Sequence, residues 1–308
     1  MAYRFGLIGS ITRDLNTSDA GLRYEGMGGI LYHAASLCGL GQRVRLLANV
    51  GEALEPELEA LAAKWPELDI SRVEKVPGQG NRVHLHYPLE GERLEVLGSM
   101  VPPLHSRQII PCLEDFDLLI FVASSGMDIS LKQWRAVCRV CTCPVWFDVH
   151  SLVLSREVGR PREYRSLANW ADWLEGAAYV QANRKEAACM LSHPGIEPAM
   201  EELSGLARMI LKGGSRAVFF TLGLDGVLVV TPHGEGWLNP GRPGLAVDTT
   251  GCGDVFSAGT SFRLSHGENP AEAASFGLKL ASSAASMTGV EKVYDLARRL
   301  GRQCLDPA

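Results

Sequence analysis

Short apolar runs alternate with amphipathic stretches along most of the chain, and this order predicts a parallel sheet covered by helices on both faces. Arg4 to Ile8 reads as the first strand. From Ile30 to Leu40 the apolar positions recur with helical period and stop at Gly41, and Val44 to Val50 reads as the next strand. The strand signal returns at Leu118 to Ala123, Val145 to Val149, Tyr179 to Gln181 and Ala217 to Thr221. Helical stretches fall between them near Leu131 to Val140 and Glu201 to Lys212.

One region breaks the rhythm. From about Ser71 to Val101 the pattern has period two, as in Arg82-Val83-His84-Leu85-His86-Tyr87. It then turns at Glu90-Gly91 and returns as Arg93 to Leu97, which predicts a hairpin serving as a lid. No internal repeat or long linker separates this segment, so it reads as an insertion into one domain.

Composition narrows the function. A 308-residue chain that is 46% hydrophobic and 21% charged can bury a full core. Its formal charge of -5 argues against nucleic acid as partner and favours a small molecule. The start is too short an apolar run for a signal peptide and no run is long enough for a membrane span, so a cytoplasmic protein without membrane contact is expected. The eight cysteines follow no small-domain framework and read as reduced thiols. Cys138, Cys141 and Cys143 lack a second Cys or His pair at zinc-finger spacing, so ordinary thiols are expected there too.

The most informative stretch is Asp248-Thr249-Thr250-Gly251-Cys252-Gly253-Asp254, followed by the apolar Val255-Phe256. Two glycines around one small residue, then a carboxylate, suit a turn leading into a helix whose first amides lack intrahelical partners. Such a turn can hold an anion, and Asp254 beside it can accept a proton, a pairing that suggests phosphoryl transfer. The bland reading of Asp254 is a first-turn acid favoured by the helix dipole. Glycine lowers helix stability, so the flanking glycines speak for close approach of a ligand. No Gly-Lys dipeptide exists, which excludes the P-loop, and no strand is followed by G-x-G-x-x-G, which weakens a dinucleotide-binding dehydrogenase. Thr221-Leu222-Gly223-Leu224-Asp225-Gly226 closes a strand with a turn that could meet phosphates.

With the Gly28-Gly29 pair and the order of these pieces, the chain resembles the ribokinase-like family of phosphofructokinase-B (PfkB) type carbohydrate kinases. The family signature Asp-Thr-x-Gly-Ala-Gly-Asp-x-Phe matches Asp248, Thr249, Gly251, Gly253, Asp254 and Phe256, with Cys252 in place of alanine. The resemblance implies a ribokinase-like α/β domain over residues 1–308, a mostly parallel sheet, and a small β-lid made by insertions at about 12–27 and 71–101. It implies that Asp254 is the general base and that the Gly251, Cys252 and Gly253 amides form the anion hole. Thr221, Gly223, Gly226 and Asn183 become nucleotide-binding candidates. Asn183 and Glu186 resemble the family's Asn-x-x-Glu motif, which holds magnesium through water; by spacing alone they read as a helix N-cap and its capping-box partner, and the roles can coexist.

On the acceptor side, the family places a sugar-binding aspartate where this chain has Asp14, and a carboxylate suits paired hydroxyls. Gly28 and Gly29 would let backbone approach the same ligand. His33 stands where the family has asparagine, and reads either as a substrate contact or as a buried core histidine. Arg82, His84 and His86 share one face of the lid strand and could point over the substrate, or serve the lid and a subunit interface. Asp148 ends a strand at the ligand face, followed by His150 where asparagine is usual. Ala273 to Met287 is a small-residue helix that in the family packs beside the adenine.

The expected protein is an ATP-dependent kinase using Mg2+, with a monovalent cation allowed by the resemblance. It would phosphorylate a hydroxyl of a small sugar, polyol or nucleoside and could pair into a homodimer through the lid. A sugar-phosphate kinase of the same family and a non-catalytic ligand-binding protein on the same scaffold are the alternatives.

Overall fold

The computed structural model describes residues 2–21, 23–90, 93–240 and 249–305, the side chains of 303–305 excepted. β1 (Arg4–Ile8) leads through β2 (Ile11–Ser18) and β3 (Arg23–Gly29) into α1 (Leu31–Gly39), β4 (Arg43–Leu47), β5 (Asn49–Gly51) and α2 (Glu55–Lys64). There follow β6 (Leu68–Asp69), β7 (Glu74–Val76), β8 (Asn81–Tyr87), β9 (Leu94–Ser99), α3 (Ser106–Ile109), β10 (Leu118–Val122) and α4 (Leu131–Cys138). The chain continues through β11 (Val145–Asp148), α5 (Trp170–Leu174), β12 (Tyr179–Asn183), α6 (Arg184–Met190), α7 (Met200–Lys212) and β13 (Ala217–Thr221). It closes with β14 (Val227–Thr231), β15 (Gly234–Leu238), α8 (Cys252–Ser265), α9 (Pro270–Ala284) and α10 (Val290–Leu305).

The main sheet has nine strands in the order β15-β14-β13-β12-β11-β10-β1-β4-β6. It is parallel except at β14 and β15, which pair antiparallel beyond β13. Its central strands are continuous apolar runs because both faces are covered, as in the wholly buried Leu118-Leu119-Ile120-Phe121-Val122 of β10. Alternate residues enter opposite cores. Leu118, Ile120 and Val122 pack with α1, α8, α9 and α10, while Leu119 and Phe121 pack with α4, α5, α6 and α7. No helix among the described residues is long and apolar enough to cross a membrane.

The strand expected over Val44 to Val50 is broken at Ala48. β4 stays in the main sheet, whereas β5 leaves it to pair with β7. Asn49 explains the departure: its amide donates to Pro102 O at 2.9 Å and its carbonyl accepts from Gln108 at 2.9 Å, contacts outside the main sheet. The expected hairpin is present as antiparallel β8 and β9, with Gly91 of its expected turn outside the described residues. A second, four-stranded sheet, β3-β2-β8-β9, joins it to the strands that follow β1. The segment from 71 to 80 contributes β7 to another small sheet, so this four-stranded sheet takes from the second insertion only Asn81 onward.

Candidate active site

The parallel arrangement brings the ends of β11, β12 and β13 to one edge, where Asp148 registers with Gln181, and Asn183 with Thr221. Facing them is the start of α8. Gly251 has φ of +75°, and a Cβ there would stand 2.4 Å from the Tyr32 ring, so turn and packing both require glycine. A Cβ at Gly253 would meet nothing closer than Gln181 Nε2 at 3.6 Å, leaving that glycine free for ligand approach. Cys252 N bonds Thr249 O at 3.2 Å and Val255 N bonds Gly251 O at 2.8 Å, which fixes the turn. Asp248, part of the expected signature, lies outside the described residues.

Asp254 sits in the first turn of α8 and is nearly buried. His33, 0% exposed on α1, places Nδ1 2.9 Å from Asp254 Oδ1 and its Nε2 on Ser257 Oγ. Of the two readings of His33, a substrate contact or a buried core histidine, the second fits: His33 stands behind Asp254, and the cavity does not reach it. Donor atoms of His33, Asp148 and Asp254 all fall within 4.8 Å of one another. Gln181 Nε2 donates to Asp148 Oδ2 and to Gly253 O, both at 3.1 Å, and so ties β12 to β11 and to the glycine turn. Burial first, then the Glu186 and Asp254 charges, pushes the Asp148 carboxyl well above the usual range.

Asn183 and Glu186 form a reciprocal capping box at the start of α6. Asn183 Oδ1 accepts from Glu186 N at 2.9 Å, and Glu186 Oε2 accepts from Asn183 N at 2.7 Å. Asn183 Nδ2 also donates to Glu186 Oε1 at 2.6 Å. Burial raises the Glu186 carboxyl, an effect opposed by His150 and by the Asn183 amide. Asp148, Asn183 and Glu186 bring side-chain oxygens to one cavity, a donor set suited to a hard divalent cation. The imidazole of His33 is foreign to such a set.

A cavity of about 430 Å³ opens on these groups. Thr221, Gly223, Gly226, Asn183, Glu186, Gly251, Cys252, Gly253 and Asp254, all singled out in the sequence, line it together. Beyond the turn it continues as an apolar slot between Leu224, Pro240, Leu278, Ala281 and Ala285. The sequence indicates the small residues of α9 here and, through the Thr221–Gly226 turn, Leu224, but not Pro240. Arg93 and Glu95, from the expected returning lid strand, and Tyr164, which carries no sequence signal, also line the cavity.

The acceptor-side candidates are placed differently. Asp14 is buried, accepts from Thr12 Oγ1 at 2.6 Å, and does not line the cavity. Gly28 leaves room for that carboxyl rather than for a ligand, since a Cβ would stand 1.8 Å from Asp14 Oδ2. Gly29, at φ +61°, serves the turn into α1. Arg82 and His84 fall on the lid face opposite Asp14, which does not fit the reading in which they point over the substrate, because Arg13 and Leu15 pair with them while Asp14 pairs with Val83. Arg82 bonds Gln79 at 3.1 Å, His84 contacts Thr17 Oγ1 at 2.9 Å, and His86 reaches Asp19 at 3.1 Å. The lid touches the glycine turn through Thr250 Oγ1, which lies 2.6 Å from Tyr87 Oη and 3.1 Å from Asn16 Nδ2.

Burial, against the Thr12 hydrogen bond and with the Glu95 and Asp254 charges, pushes the Asp14 carboxyl up to about 7 from 3.8. Between those values the unfolded chain releases this proton while the folded protein keeps it, so this group's contribution to stability falls as pH rises through that window. Thermal unfolding across pH 4 to 8 is therefore expected to show a smaller decline for Asp14→Asn than for the native chain. Parallel curves would contradict the assignment.

Residues 160–295 match the family model described as pfkB family carbohydrate kinase. Among curated proteins the chain is 32% identical over 109 residues to the ribokinase of Schizosaccharomyces pombe, covering 35% of this chain and 34% of the relative. It is 33% identical over 107 residues to the ketohexokinase of Mus musculus, covering 33% of this chain and 34% of the relative. The matches thus span about a third of the length of these curated relatives. Among solved structures, ribokinase from Giardia lamblia superposes with a TM-score of 0.78 at 18% identity, over 99% of both chains. The fold is shared across the whole chain.

Proposed function

We propose, for a chain whose residues 160–295 match the pfkB family carbohydrate kinase model on a scaffold shared with ribokinase, the activity of an ATP-dependent kinase. It would move the γ-phosphoryl group to a hydroxyl of a small sugar, polyol or nucleoside. The observation that carries this reading is the meeting in one cavity of the α8 start, with Asp254, the acid that ends β11, Asp148, and the acid in the first turn of α6, Glu186.

In this reading Asp254 takes the proton of the acceptor hydroxyl as its oxygen forms a bond to the γ-phosphorus and the bond to the β-phosphate oxygen breaks. The Gly251 and Gly253 amides lie where charge gathers on the transferring group, while the Cys252 amide, bonded to Thr249 O, holds the turn that presents them. Glu186 and Asn183 are the residues suited to hold magnesium through water; when bound, the ion neutralises charge on the donor phosphates. The apolar slot past Cys252 suits a flat base, which favours a nucleotide over pyrophosphate as donor. Ala285→Phe, which fills that slot, is expected to raise KM for ATP about tenfold or more with the acceptor KM unchanged, as read by steady-state kinetics. An unchanged KM for ATP would place the base elsewhere.

A phosphorylated acceptor remains a second reading on one observation. Arg82 faces away, but Arg93 is a lid cation at the cavity, 3.4 Å from Glu95. The test is ATP consumption across sugars, polyols, nucleosides and sugar phosphates, with pyrophosphate as alternative donor. Turnover that Asp254→Asn abolishes supports the kinase. A broad panel with no such turnover leaves the scaffold a ligand-binding protein.

A further inference from the structure

We propose that His33 is a positioning residue for Asp254, resting on the reading of Asp254 as the base: anchored on Ser257, its imidazole holds one carboxylate oxygen and leaves the other for the acceptor hydroxyl. His33 comes from α1 and Asp254 from the first turn of α8, so the contact crosses two elements that pack against each other. Among the described residues Nδ1 is fully buried without an aligned hydrogen-bond partner. Asp254 Oδ1, 2.9 Å away but off the ring's N–H direction, is the group in reach that can satisfy it. The proposed contact needs the carboxylate to turn into line with the ring N–H, as catalytic hydrogen bonds commonly tighten when substrate binds.

The far side of the ring is fixed. Nε2 lies on Ser257 Oγ, which is also 2.9 Å from Asp254 O. Ser257 is 0% exposed, so the Ser-His-Asp connectivity does not present a serine nucleophile; the site-facing member is the aspartate. Around Asp254 stand further acids: Asp148 from β11, Glu186 from α6 and Asp14 from β2 all respond to its charge. Among the described residues His33 is the basic side chain within ion-pair distance of it. Without that contact the carboxylate has freedom to rotate among the neighbouring acids, and a base that rotates loses alignment with its proton donor.

With the best acceptor from the panel, His33→Leu is expected to lower kcat roughly 10- to 100-fold while both KM values stay within about twofold. His33→Asn, whose amide offers a polar group near the Nδ1 position, should recover most of the loss, and Ser257→Ala should lower kcat in the same direction. In nitrogen-15 spectra of histidine-labelled protein, the His33 Nδ1 resonance should move in Asp254→Asn. Native kcat in a folded His33→Leu, with Asp254→Asn inactive, overturns the inference and leaves the kinase reading standing. Native kcat in Asp254→Asn overturns the base reading itself. If His33→Leu does not fold, Ser257→Ala and the resonance decide: native kcat and an unmoved signal overturn the contact.

Discussion

Asp254→Asn is expected to lower kcat by roughly 10²- to 10⁴-fold, the range for loss of a positioned general base. Asparagine keeps the size of the side chain and remains compatible with the first turn of α8, where Asp254 is 8% exposed. The amide nitrogen cannot accept the hydroxyl proton. Binding should survive, because the cavity contacts of Thr221, Asn183 and the glycine turn are untouched. Steady-state kinetics with a melting curve on the same sample separates the outcomes. Turnover within tenfold of native would remove Asp254 from the base role.

Gly251→Ala should be the most damaging small change to the anion turn. The left-handed backbone at φ +75° costs a side chain about 1 kcal/mol, and the new Cβ would stand 2.4 Å from the Tyr32 ring. Tyr32 is buried on α1, so the turn moves rather than the ring. Displaced amides no longer meet the transferring phosphoryl group, and kcat should fall by roughly 10²- to 10³-fold together with a lowered Tm. Gly253→Ala is the informative contrast. Its backbone is helical and its Cβ has space, so stability should hold or rise by about 0.5–1 kcal/mol, whereas ligand approach suffers. Equal losses of Tm in the two variants would contradict the different roles assigned to them.

The central sheet is legible in the sequence wherever burial on both faces makes a strand continuously apolar. Ala217 to Thr221 and Leu118 onward are the clearest cases. The donor side is legible too, because turns and helix starts write themselves locally: Thr221-Leu222-Gly223, Asn183 with Glu186, and Gly251 to Asp254 each carry their geometry within a few residues. The acceptor side is not. Which lid face meets the cavity depends on β2 pairing parallel with β8, a long-range register that alternation within β8 alone cannot set, so Arg82 and His84 point outward. His33 is opaque for a similar reason. Its partner, Asp254, is distant in sequence and arrives only when α1 packs on α8. The slot formed by Leu224, Pro240 and Leu278 is only partly legible: the turn of Leu224 and the helix of Leu278 can be read locally, but that separate elements bring them together with Pro240 cannot.

The most direct test of the account is a crystal structure with a non-hydrolysable ATP analogue and an acceptor taken from the turnover screen. The account predicts the γ-phosphate at the Gly251–Gly253 amides, the adenine between Leu224 and Ala285, and the reacting hydroxyl about 3 Å from Asp254. A γ-phosphate bound away from that turn, or a reacting hydroxyl out of reach of Asp254, would contradict it.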